Sequence, residues 1–203
     1  MKEAKIQFSM AEAELMGNTE VILTKNSILF KIKTLFEALQ NEMTMAVQQH
    51  SEWRTHPYFE MPPKISRGEN YLGLPYLVLD YPRKFDSMNI LAVRTMFWWG
   101  HFFSSTLQVA GTYKAELIDK IENAYTSLAR RQYYIGINED PWVHHFEEDN
   151  YRKIKELDKD TFLHYCRQYE YLKIAARWPL SDVHFVAEDL LDSWQVLVRL
   201  CID

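Results

Sequence analysis

The chain is poor in the residues that staple or interrupt a fold. Its 203 residues include two cysteines, six glycines and seven prolines. So little Gly and Pro excludes collagen-like or linker-like sequence, and a hydrophobic share of 47% excludes intrinsic disorder. Cys166 and Cys201 fall in helical patterns. They are expected as buried, reduced thiols, since one pair in an otherwise thiol-free chain is no secreted framework. No apolar stretch approaches the roughly 20 residues a membrane span requires. Residues 1–9 hold no apolar core of a secretion signal. The expected location is therefore the cytoplasm, with no membrane partner.

Positive charge is also short. Lys and Arg number 23 against 28 Asp and Glu, a net of −5. All of the acidic excess lies in residues 101–203, which carry 12 cations and 17 anions. Nucleic-acid binding needs a basic face to displace counterions, so no nucleic-acid partner is expected. The common catalytic signatures are missing too: no Gly-x-Ser-x-Gly elbow, phosphate loop, dinucleotide fingerprint, Cys-x-x-Cys or His-Glu-x-x-His. Their absence argues against the commonest recognisable enzymes, other catalysis stays open, and no cofactor can be named.

What is present is pattern. Ser9-Met10-Ala11-Glu12 fits a capping box and starts a short helix over 9–16, with Gly17 as its stop. Over 18–50, Ile28, Ile32, Leu35, Phe36, Leu39, Met43, Ala46 and Val47 recur at three- and four-residue steps. That period predicts one long helix; a short strand over 20–24 is the alternative. Pro57, Pro62 and Pro63 then force an irregular connection anchored by Trp53, Tyr58 and Phe59. Residues 64–110 read as antiparallel sheet, with runs at 71–81, 88–99 and 102–110 and a turn marked by Tyr81-Pro82 and Asp86-Ser87. Later elements are a helix over 113–131, a strand over 132–137, a loop over 138–150, helices over 149–157 and 160–178, and a last helix capped by Ser181. The order predicts a single α+β domain over 1–203. Its antiparallel sheet would have three to four strands, packed by the long N-terminal helix and several C-terminal helices.

Aromatic residues are the excess. Residues 51–113 hold thirteen, among them Phe97, Trp98, Trp99, Phe102 and Phe103 around Gly100-His101. A two-residue type II′ hairpin wants glycine at its first central position. It would set Trp99 opposite Phe102, and Trp98 opposite Phe103 on the other face. Arg94 would then share a face with Trp98, Phe103 and Ser105. A guanidinium there needs a partner, because burying a lone charge is costly. The candidates are Asp80 or Glu69 of a neighbouring strand, or an anion from outside. An apolar site with few polar groups and one cation is how small-molecule pockets are built. Arg94, Trp98, Phe103 and Ser105 are therefore the candidate ligand-binding residues.

The loop over 138–150 carries five carboxylates, the adjacent pair His144 and His145, and no cation. Imidazole with carboxylate is a ligand set for a transition metal, yet the spacing is not fixed, and negative charge at a helix start explains much of it. His184 and Glu188, four apart, are expected to share a helix face. Two functional readings follow. One is a non-catalytic binding or interaction protein that uses the aromatic sheet, with a small molecule or a protein as partner. The other is an enzyme acting on a small anionic substrate held by Arg94. Neither substrate nor oligomeric state can be read from the residues.

Overall fold

The computed structural model describes residues 6–202. Helix α1 (Met10–Gly17) opens with the expected box: Ser9 N–H donates to Glu12 Oε2 at 2.7 Å, and Glu12 N–H donates to Ser9 Oγ at 3.2 Å. Gly17 stays within the helix. Asn18, in extended backbone, closes α1 and caps α2 by accepting from Glu20 N–H at 3.1 Å. Helix α2 (Thr19–Gln49) is the long helix, and residues 20–24 belong to it. Its buried stripe is Leu29, Ile32, Phe36, Leu39, Met43 and Val47. Leu29, not Ile28, leads that stripe; Ile28 lies at its exposed margin. A short helix α3 (Ser51–Thr55) and a 3-10 turn (Pro57–Phe59) follow, with Trp53 and Phe59 buried as anchors.

The sheet has seven strands, more than the three to four expected: β1 (Lys64–Tyr71), β2 (Leu74–Phe85), β3 (Ile90–Trp98), β4 (Phe102–Ala110), β5 (Tyr134–Gly136), β6 (Tyr151–Lys153) and β7 (Tyr171–Pro179). The order is β1-β2-β3-β4-β7-β5-β6, with every recorded pairing antiparallel. Tyr81-Pro82 is not a turn. It lies inside β2 as a bulge, between the Asp80–Arg94 and Arg83–Ala92 pairs. A bulge lets a strand continue past a proline that cannot donate to the ladder.

Two helical expectations fail. The 149–157 segment is β6 and a 3-10 turn (Ile154–Glu156), and the 160–178 segment is α6 (Lys159–Gln168) followed by β7. The cap of α6 is Asp158, which accepts from Thr161 N–H at 2.8 Å. The 113–131 helix divides at Ala124 into α4 (Thr112–Asn123) and α5 (Tyr125–Arg130). Ser181 sits in a 3-10 turn (Leu180–Asp182), and α7 (Val186–Ile202) starts later. His184 therefore precedes α7 and shares no helix face with Glu188.

Packing follows from the strand alternation. Leu77, Leu79, Leu91, Val93, Phe97, Phe103, Leu107 and Val109 join the buried stripes of α2, α4 and α7 in one core. The opposite sheet face carries Val78, Met96, Trp98, Phe102 and Ala175, sealed by Phe146 and Tyr151. All nine residues of β4 are buried, as a strand covered on both faces must be. Helices cover one face; the loop over 137–150 crosses the other. Cys166 and Cys201 are free and buried, and burial pushes both thiols up to about 12. None of the described helices is long and apolar enough to cross a membrane.

Candidate functional site

The β3–β4 hairpin exists, but its register is one residue off the expected one. Trp98 pairs with Phe102, Phe97 with Phe103 and Arg94 with Thr106. The loop is Trp99-Gly100-His101. His101 N–H donates to Trp98 O at 3.1 Å, and Gly100 has φ 76°. Glycine thus holds the second central position, as in a type II turn, rather than the first. One residue of slip exchanges faces along the partner strand. Arg94 and Trp98 stay together, while Phe103 and Ser105 lie on the helical face. The four candidate residues are not brought to one place.

Arg94 is met by the chain itself. Its Nε and Nη2 donate to Asp80 Oδ1 and Oδ2 at 2.8 and 2.9 Å, a bidentate pair on adjacent strands. Asp80 is 7% exposed. An anionic ligand would have to compete with that carboxylate.

The loop over 137–150 lies directly on this face. Tyr71 Oη accepts from the N–H groups of His144 and His145 at 2.6 and 3.2 Å. The His144 ring packs toward Tyr71 and lies 3.5 Å from Arg94 Nη1. Burial, with Arg94 and Lys173 nearby, holds this imidazole down at about 3, so it is neutral. His145 points elsewhere, to Asp149 at 3.1 Å. The two histidines do not converge, and among the described residues no three His, Cys, Asp or Glu side chains gather as a metal set. Lys173 is the side chain the sequence reading missed here. It is fully buried, donates to Val143 O at 2.6 Å, and stands 5.0 Å from the Tyr151 ring centre. Among the described residues no carboxylate lies within ion-pair distance of it. Burial lowers its ammonium to about 8.

Open space lies instead at the hairpin tip on the helical face. A cavity of about 600 Å³ is bounded by Ile28, Lys31 and Ile32 of α2, by Phe97, Trp99, Gly100 and Phe103 of the hairpin, and by Leu180, Val183 and His184 before α7. Its volume falls in the roughly 300–1,000 Å³ range of small-molecule sites. Among the described residues Lys31 and His184 are its only basic side chains, both exposed at the rim, and no carboxylate, Ser or Cys lines it. Phe103 is the one expected site residue it contains. The apolar period of α2 pointed to Ile28, but the approach of Val183 and His184 to the hairpin is a long-range contact that no local pattern carries. Compared with family models, curated proteins and solved structures, the chain matches none.

Proposed function

We propose that the chain is a non-catalytic binding protein that takes a small apolar molecule with an acidic head into the hairpin-tip cavity. The observation that carries this is the lining: aromatic and aliphatic walls with two basic groups at the mouth. Apolar walls supply affinity, and a few convergent polar groups set orientation. Lys31 brings an ammonium with three hydrogen-bond donors to the rim, so the rim favours an anionic head. With no carboxylate, hydroxyl or thiol among the described lining residues, and with Lys31 and His184 exposed at the rim, the reading is binding rather than chemistry. Arg94 has no part in it, because Asp80 already occupies the guanidinium.

Dodecanoate, dodecan-1-ol and dodecyltrimethylammonium, each below its micellar concentration, make the test. A ligand that binds only the folded state raises Tm, and Trp99 in the wall gives a fluorescence signal. Dodecanoate is expected to bind most tightly. Lys31→Met should bring it level with the alcohol, and Val183→Trp should fill the cavity and abolish both responses. No binding by any of the three, equal binding by all, or binding that survives Val183→Trp refutes the reading.

A further inference from the structure

Over residues 6–23 the molecule is an arm whose large apolar side chains are left exposed among the described residues. Helix α2 is 31 residues long, and its first buried residue is Leu29. The body is first reached at Lys25, whose Nζ donates to Glu69 Oε2 of β1 at 3.0 Å, so at 1.5 Å per residue roughly 9 Å of α2 precedes it. Helix α1 precedes this free end in the chain, and none of its residues is buried. Between the two helices runs an open groove lined by Phe8, Leu15, Met16, Ile22 and Leu23. Met10 is 92% exposed, and Leu23 66%.

An eight-residue helix does not hold in water by itself, because nucleation costs more than so few hydrogen bonds return. Eight large apolar side chains between residues 6 and 23 are each at least 41% exposed. At on the order of 100 Å² apiece, scaled from the size of a large side chain, they offer on the order of 800 Å². The largest patch on a typical monomer is roughly 300–600 Å², whereas one partner in a stable complex contributes about 800 Å². The arm is therefore the size of one half of an interface.

We infer that this arm packs against the same arm of a second copy of the chain, α1 and α2 of each forming a two-fold, four-helix bundle. The arm suits a copy of itself because its surface is apolar on both helices, and self-complementary apolar patches close two-fold dimers. Its acids Glu12, Glu14 and Glu20 face no excess of lysine on the arm, so pairing rests on the apolar groove, with the carboxylates at the solvent rim.

Sedimentation equilibrium on the full chain at micromolar concentration reads the result. Twice the chain mass is expected. The double substitution Met10→Glu, Leu15→Glu should weaken association at least a hundredfold. Those positions contribute nothing to the core, so Tm of the body stays unchanged and far-UV circular dichroism loses no more than the helicity of α1. A single arm-base substitution, Leu23→Glu, should act the same way. A monomer, an assembly larger than two, or a dimer indifferent to these changes overturns the inference. So does a monomer that instead sediments with phosphatidylcholine vesicles, which would make the arm a membrane-surface element.

Discussion

Asp80 and Arg94 stand opposite each other on β2 and β3 and are joined by two parallel hydrogen bonds of 2.8 and 2.9 Å. Their two strands thereby share a fixed geometry on the face beneath the loop. Removing one partner leaves the other buried without its counter-charge, which costs about 3 kcal/mol or more. Arg94→Leu and Asp80→Leu should each destabilise by about that amount, while the double variant should lose clearly less than the sum. Urea unfolding of all four chains gives the coupling energy. Additive losses would mean that the pair contributes nothing as a pair.

A titration-sensitive point lies next to this pair. His144 takes its proton only near pH 3 when folded, because it is buried beside Arg94 and Lys173. In the unfolded chain an imidazole titrates near 6.5. Between those values the unfolded state binds the extra proton, so stability falls as pH drops from about 6.5 toward 3. The slope is about 1 kcal/mol per pH unit for one such group. Denaturant midpoints at pH 7.0 and 5.5 should differ accordingly in the parent chain. In His144→Gln that component of the difference should vanish.

The long helix, the capping box and the hairpin were legible because each has a local signature: the stripe from Ile32 to Val47, Ser9 with Glu12, and Gly100 between two aromatic runs. β7 was not, for a physical reason. Lys173 and Arg177 are four apart, a spacing that keeps two side chains on one face of a helix and equally on one face of a strand. Between them Ile174, Ala175 and Ala176 are all buried, so no alternation separates the two cases. The hairpin slip has the same root. Ser104 and Ser105 lie on opposite faces and both are buried, so the apolar pattern does not choose between a two- and a three-residue loop. The cavity was illegible because Val183 meets the hairpin tip only through the whole of β7.

Lys173 invites the opposite experiment from Arg94. Its ammonium is buried against Val143 O and the Tyr151 ring, with Asp140 acting only from beyond ion-pair distance. Replacing a poorly compensated buried charge by an apolar chain of similar shape is often neutral or stabilising, by about 1–4 kcal/mol. Lys173→Met should therefore raise Tm or leave it unchanged. The parent should also gain stability as pH rises through about 8, where the folded ammonium gives up its proton. The unfolded lysine keeps its proton up to about 10.4, so the unfolded state binds more protons in that window. This alkaline gain should be missing from Lys173→Met. A large loss of stability in the variant would show instead that the link to Val143 anchors the loop.

Gly100 tests the turn itself. Its φ of 76° lies in the left-handed region, and a Cβ built there would meet nothing within 4 Å. The cost of a side chain is then backbone strain alone, about 1–2 kcal/mol for an ordinary L residue and less for asparagine, which tolerates this region. Gly100→Ala should lower stability by that amount, and Gly100→Asn should fall between the two. Because Gly100 also borders the hairpin-tip cavity, dodecanoate affinity measured on Gly100→Asn separates turn from site. Unchanged affinity with reduced stability places the residue's role in the reversal of the chain. A tenfold loss of affinity at equal folded fraction, about 1.4 kcal/mol, places it in the cavity wall as well.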